Sequence, residues 1–222
     1  YDESKVPQYT LPDPLVCLDG AKVTDARTWF EKRRPEILEL FKTQVYGRSP
    51  GKPDEISYAV QIDDMALNGR AVRKQITITP KVNGKTIDLN LLVYLPKNAK
   101  GPVPLFVGLN FRGNHTICDD PGIRLAANWM PDDRDGTSND NRATEQARGK
   151  SASRWALDQI LSRGYGLATM YCGDIDPDFH DGFKNGVHAL YNTTQQRKGD
   201  DWGTIAAWAW GLSRCMDYFE KD

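Results

Sequence analysis

The sequence predicts an α/β fold built on a doubly wound sheet, and three features carry that prediction. First, Val103-Pro-Leu-Phe-Val-Gly-Leu-Asn110 is a mostly apolar strand, read as buried, that runs into the polar loop Phe111-Arg-Gly-Asn-His115. Second, the pattern returns at Tyr165–Tyr171, whose exit, Cys172-Gly-Asp-Ile-Asp176, is rich in carboxylates. Third, a short helix over Arg154–Arg163 lies between them, with Trp155, Ile160 and Leu161 facing inward and Gly164 closing it. Parallel strands need a crossover of this kind. In open sheets of this class the ligand crevice lies beyond the carboxyl ends of the strands. The two exits are therefore where a site is expected.

The other elements follow in chain order. Residues 1–20 read as an extended arm. Thr24 or Asp25 can cap a helix in which Trp29, Phe30, Ile37, Leu38, Leu40 and Phe41 form an apolar stripe. Pro35 should divide it into two pieces and Gly47 should stop the second. Three strands are expected at Ile56–Ile62, Val72–Thr79 and Thr86–Leu95. Asn83-Gly84, between the last two, is the usual pair of a type I′ hairpin, in which both residues need positive φ. Ile87, Leu89, Leu91 and Val93 alternate with Asp88 and Asn90, the mark of a half-buried strand.

Asp119–Lys150 is long and polar, and Pro131–Asp140 offers almost no core material. A loop of that length in a compact domain is usually functional or disordered. A second mixed loop spans Gly173–Asp200. Asp200 or Asp201 should cap a last helix, along which Trp202, Ile205, Trp208, Ala209, Leu212, Cys215, Met216 and Phe219 recur at helical spacing. Gly203, Ala206, Ala207 and Gly211 would let that helix lie close to a sheet.

Composition narrows the classes. A length of 222 residues suits one domain, taken as 1–222. Twenty-nine basic against thirty acidic side chains argue against nonspecific binding to nucleic acid or to a membrane surface. No apolar run is long enough to span a bilayer. The first residues are polar and broken by proline, so no signal peptide is visible, as at a mature amino terminus. Cys17, Cys118, Cys172 and Cys215 lack CxxC spacing, and His115, His180 and His188 form no two-histidine ligand pattern. A zinc site therefore lacks support. The cysteines are either buried free thiols or include at least one disulfide.

Several positions bear on chemistry. Phe111, Arg112, Gly113, Asn114 and His115 could form an oxyanion-side turn, with Gly113 permitting close backbone approach and Asn114 and His115 supplying hydrogen bonds. The plainer alternative is a solvated turn that ends a strand. Trp129 is either an anchor or a platform on which a sugar stacks. Asp174-Ile-Asp-Pro-Asp178 begins like a calcium loop, but Phe179 replaces the required glycine and Asn185 the required glutamate, so Asp174 and its neighbours are read as shaping a rim. Gly211-Leu-Ser-Arg-Cys215 lacks the last glycine of a nucleophile elbow, and Ser213 is read as an ordinary helix residue. Asn114-His-Thr116 and Asn192-Thr-Thr194 fit the glycosylation pattern.

Several segments together resemble the bacterial glucuronoyl esterases of carbohydrate esterase family 15. They are Tyr9-Thr-Leu-Pro-Asp-Pro-Leu15, Arg33-Arg-Pro-Glu-Ile-Leu-Glu-Leu-Phe41, Val45-Tyr-Gly-Arg48, Leu109-Asn-Phe-Arg-Gly-Asn-His-Thr116, Gly173-Asp-Ile-Asp-Pro-Asp-Phe179 and Trp202-Gly-Thr-Ile-Ala-Ala-Trp-Ala-Trp-Gly-Leu-Ser-Arg214. The resemblance implies an α/β-hydrolase-type three-layer αβα sandwich, incomplete in this chain, with lead-in antiparallel strands and the first parallel strands present. It implies a serine esterase without metal or cofactor, acting on esters of the glucuronic acid side groups of glucuronoxylan or on lignin–carbohydrate esters. It further implies a secreted or periplasmic monomer.

The family's serine elbow, histidine and acid have no counterpart in 1–222, so no catalytic residue is identifiable and the chain alone is expected to be inactive. By the same resemblance Phe111–His115 border the reaction centre, 119–150 is a rim insertion that deepens the cleft, and Trp129 contacts sugar or an aromatic alcohol. The rival readings are a noncatalytic carbohydrate-binding module and an acetyl-xylan esterase, with a metal-dependent hydrolase third.

Overall fold

The computed structural model describes residues 2–191 and 196–222, so the Asn192 glycosylation pattern lies outside the described residues. The chain divides into two compact units, one reaching to Arg48 and including Lys198–Trp202, the other formed by the rest.

In the first unit Asp25 is the helix cap, accepting the Thr28 N–H at 2.7 Å. The helix then passes through a π turn, Trp29–Arg33, into helix α1, Arg34–Gln44. Pro35 does not split it as expected. The wider turn, in which Arg34 N–H reaches the Trp29 carbonyl, accommodates a ring that would clash with an α-helical carbonyl four residues back. Phe30, Leu38, Leu40 and Phe41 of the expected inward stripe are exposed. Gly47 takes φ +83° after the helix. Asp200 pairs with Arg48 and Asp201 accepts the Lys198 N–H.

The second unit is built on one sheet. Its strands are β1 (Glu55–Met65), β2 (Ala71–Val82), β3 (Lys85–Thr86), β4 (Leu89–Pro96), β5 (Leu105–Asn110) and β8 (Gly166–Tyr171), in the order β1-β2-β4-β8-β5 with β3 beside β2. Asn83 and Gly84 both take positive φ, as the hairpin requires. The strand expected over Thr86–Leu95 is interrupted at Ile87–Asp88. That gap lies opposite Pro80, which has no N–H to give the ladder. β4 does not keep its alternation. Leu91 through Tyr94 are all buried because both faces of β4 are covered, with Leu92 and Tyr94 packing against Ile117, Ile123 and Leu157 on one of them.

β5 and β8 pair in parallel, as the repeated strand pattern predicts. Between them the single expected helix is two, α2 (Ala152–Trp155) and α3 (Leu157–Ser162), broken at Ala156, which takes φ +41° and ψ +40°. Leu157, Ile160 and Leu161 pack with Leu92, Tyr94 and Leu167. β5 itself is not buried as expected: Phe106 is 55% exposed. Among the described residues β5 has a neighbour on one edge only.

Residues 119–150 are ordered more by side-chain hydrogen bonds than by core. Ser138 Oγ donates to the Pro131 carbonyl, Thr137 Oγ1 to Asp135, and Asp132 accepts the Asn141 N–H. A small hairpin, β6 (Ser138–Asn139) and β7 (Arg142–Ala143), closes the stretch. It nonetheless buries Ile123, Met130, Thr137, Ser138 and Ala147.

Beyond β8 come short helices α4 (Cys172–Ile175) and α5 (His188–Tyr191), and then α6 (Thr204–Phe219). The cap of α6 is Gly203, not Asp200 or Asp201, and it makes no side-chain bond. The buried face is also rotated from the one expected: Ala206, Ala207, Trp210, Gly211, Cys215 and Tyr218 lie inside, while Ile205 and Met216 are exposed. Small residues win the close-packed face because Gly211 sits directly on Ile175, where a Cβ would collide. All four cysteines are free thiols.

Candidate active site

The loop after β5 divides into an inward and an outward half. Asn110 is buried at the strand end, and its side-chain amide donates to Asn114 Oδ1 at 2.7 Å and Thr169 Oγ1 at 3.0 Å. Asn114 in turn donates to the Asn90 carbonyl at 2.8 Å. Gly113 takes φ +92°, and a Cβ there would stand 2.5 Å from the His115 ring. His115 is fully buried, and neither ring nitrogen has a hydrogen-bond partner among the described residues. Burial, and then the Arg148 charge, pushes its imidazole down to about 4, so it is neutral at pH 7. Asn114 and His115 therefore face the interior. Phe111 and Arg112 face outward, with Phe111 54% exposed and Arg112 ion-paired to Asp133.

The exit of β8 is a buried strut. Asp174 accepts the Asn90 backbone N–H and side-chain amide at 3.2 and 3.0 Å, and the Asn128 amide at 2.8 Å. Burial nevertheless outweighs those bonds and raises its carboxyl above the usual range. Tyr171 donates its hydroxyl to the Trp129 carbonyl at 2.8 Å. Trp129 is thus held through its own backbone and through Asn128, and its ring lies 4.5 Å from that of Phe179. One turn on, the Asp176 carbonyl accepts Trp208 Nε1 at 2.8 Å, and Trp208 meets Phe111 edge-on at 5.4 Å.

A cavity of about 600 Å³ opens at this end of the sheet, lined by Leu109, Asn110, Phe111 and Arg112 from the β5 exit, Met130, Pro131, Asp133 and Asp135 from the rim, and Lys150, Arg154 and Trp155 from the approach to α2. Arg112 neutralises Asp133, while Lys150 and Arg154 make no ion pair among the described residues. Ser213 is not part of the cavity: the residue sits inside α6, and its hydroxyl donates to the Ala209 carbonyl at 3.1 Å.

Of the residues singled out from the sequence, Phe111 and Arg112 line the cavity, Asn114 and Asp174 line a smaller one with Asn90 and Tyr171, and Gly113 and His115 line neither. Trp129 flanks Met130 beside it. Sequence reasoning missed Asn90 and Asn128, struts of the loop beside Asn110, and Lys150 and Arg154, which reach the cavity from a distant segment. Only Asn90 left a signal, as a polar break in an apolar strand.

No protein-family model matches the chain. It is 48% identical over its whole length to a carbohydrate esterase from an unknown prokaryotic organism, of which it covers 52%. It is 26% identical, over 95% of its length and 39% of the other's, to a 4-O-methyl-glucuronoyl methylesterase of Schizophyllum commune. Among solved structures, a glucuronoyl esterase from Solibacter usitatus superposes with a TM-score of 0.88 at 46% identity, covering 99% of this chain and 56% of that one. A promiscuous CE15 esterase from a marine bacterial metagenome superposes at 0.86 and 47%, covering 100% and 55%. The chain thus spans about half the length of these relatives. Its mixed sheet and flanking helices form an α/β sandwich of the hydrolase type. Over its whole length the chain is a relative of the glucuronoyl esterases of carbohydrate esterase family 15.

Proposed function

We propose that this chain supplies the β5-exit loop and the cleft rim of a serine-type carboxylic ester hydrolase whose substrates are esters of the glucuronic acid side groups of glucuronoxylan. The observation that carries the reading is the cavity at the carboxyl end of β5, where outward Phe111 and Arg112 meet the cations Lys150 and Arg154. Such a lining suits a sugar acid whose carboxyl carries the ester.

The attacking serine and its histidine–acid pair belong to polypeptide other than residues 1–222. Acylation of that serine releases the alcohol, and water then releases the uronate. Backbone donors of the Phe111–His115 turn lie on the oxyanion side, and residues 119–150 form the wall over the sugar, with Trp129 toward the alcohol or an adjoining sugar. No metal or cofactor enters this scheme. We read 1–222 as one part of a single catalytic domain in a secreted or periplasmic, monomeric enzyme.

The test is hydrolysis of benzyl glucuronate. The 222-residue chain by itself should give no turnover, and the protein that carries it together with the remaining length of its relatives should. Turnover by the chain alone would overturn the missing-nucleophile argument. In the active protein, Lys150→Ala with Arg154→Ala should raise KM. Because one relative is described as promiscuous, acetyl release from acetylated xylan is measured in parallel. A higher kcat/KM there would favour the acetyl-xylan reading.

A further inference from the structure

We infer that His188, with Asp176, is a positioning residue for the aromatic wall of the cleft, acting through the turn 176–179 and not on substrate directly. The inference rests on the esterase reading above and goes beyond it in assigning this pair. Both residues are buried, His188 fully, and His188 Nε2 stands 3.7 Å from Asp176 Oδ2. A buried carboxylate and imidazole are costly to keep in the interior, so their retention here calls for a role.

The role is legible from what the turn holds. The Asp176 carbonyl accepts the Trp208 indole N–H, and Trp208 supports Phe111 at the cavity mouth. Three residues further on, Phe179 packs against Trp129. Both aromatic pairs therefore hang from one short segment. His188 closes that segment from below: the neighbouring Val187 N–H reaches the Ile175 carbonyl at 2.7 Å, and Gly186 lies against Asp176 so closely that no Cβ would fit. Phe183, edge-on to the His188 ring at 5.1 Å, lies beneath Arg197 at 3.9 Å and fixes the imidazole's far side. Withdrawing the imidazole leaves Asp176 without this neighbour and frees the turn, so Phe111 and Trp129 lose their backing together.

The test uses the active protein with two substrates, benzyl and methyl glucuronate. His188→Ala should raise KM for the benzyl ester by about tenfold, the size of one lost aromatic contact, with kcat within about twofold. The methyl ester, which does not reach the wall, should keep both constants. His188→Gln, which retains a polar side chain of similar reach, should recover most of the benzyl KM. Phe179→Ala, at an exposed position, should reproduce the KM effect, and the double variant should be no worse than either single one. Equal losses on both esters, or an additive double variant, would overturn the inference.

Amide hydrogen exchange gives a readout independent of turnover. His188→Ala should speed exchange in 174–179 and around Trp129 while leaving β4 and β8 protected. Unchanged exchange there would also sink it. If the unaltered protein hydrolyses neither ester yet the exchange pattern appears, the esterase reading fails and the positioning role stands.

Discussion

Asn114 donates its side-chain amide to the Asn90 carbonyl across 2.8 Å, and so ties the loop after β5 to β4, a strand that is not its neighbour in the sheet. The bond reaches past β8 and closes a chain that runs from Thr169 through Asn110 and Asn114 to Asn90 and Asp174. Asn114→Ala would strip a partner from both the Asn90 carbonyl and the Asn110 amide. Buried groups left unpaired in this way cost roughly 1–3 kcal/mol. The midpoint of urea unfolding should fall by that free energy divided by the slope, with the slope itself unchanged, since the exposed surface on unfolding stays the same. A midpoint within error of the parent would show that the loop is held elsewhere.

Acid sensitivity should trace to His115. Its folded pKa of about 4 lies below the ordinary value of 6.5, so between those values the unfolded chain binds more protons. Its stabilising share is therefore complete above about pH 6.5 and is lost as pH falls toward 4. The shift corresponds to about 3 kcal/mol at the acid limit. Asp176 works with the opposite sign. Burial raises its carboxyl to about 6 from 3.8, which favours the fold at low pH and weakens it as pH rises through 6. The two offset each other in the parent, so the comparison must be made with a variant. His115→Leu should flatten the loss between pH 6.5 and 4 when unfolding is measured across that range. An unchanged slope would mean that the imidazole is protonated in the folded state.

How much of this was legible beforehand depends on whether the signal was local. The Asn83-Gly84 hairpin and the helical setting of Ser213 each follow from residues a few places apart, and the parallel pairing of β5 and β8 follows from one strand pattern that recurs on either side of a crossover helix. What the sequence misjudged came from tertiary neighbours. Tyr94 and Leu92 are buried because Ile117, Ile123 and Leu157 pack on that face of the sheet, and Phe106 is exposed on β5, the last strand of the order among the described residues. On α6 the small residues Ala206, Ala207 and Gly211 were legible as a close-packing face, and Gly211 does lie on Ile175; what the periodicity of large residues did not encode is that Ile205 and Met216 fall outside the buried face. In the site, Phe111 and Arg112 were findable as the polar exit of an apolar strand. His115, in the same motif, points away from the cavity for a reason that depends on the φ of Gly113.

The root of the rim insertion is pinned by a buried charge. Asp120 accepts from Arg73 Nη1 and the Tyr94 hydroxyl, each at 2.5 Å, and from the Gly122 N–H at 2.8 Å. These donors hold the Asp120 carboxyl below its usual range despite burial. Tyr94→Phe removes one donor and should cost about 1–2 kcal/mol. Arg73→Met strands the carboxylate and should cost about 3–5 kcal/mol. Thermal melts of the two variants should therefore separate clearly, with Arg73→Met the lower. Equal melting temperatures would mean that solvent reaches Asp120 and that the pair is not a buried one.

Ala156 breaks the crossover into α2 and α3 by adopting φ +41° and ψ +40°, a left-handed conformation that opposes its Cβ to the following carbonyl. That placement costs a non-glycine residue about 1–2 kcal/mol. Glycine meets no such clash, although it adds freedom to the unfolded chain worth about 0.4–1 kcal/mol. The difference favours glycine, so Ala156→Gly should raise the melting temperature slightly. Ala156→Val, which adds a branched side chain at the same angle, should lower it by more. If both variants melt below the parent, then the Ala156 methyl contributes packing that exceeds the backbone strain, and the break between α2 and α3 is set by tertiary contact instead of tolerated against it.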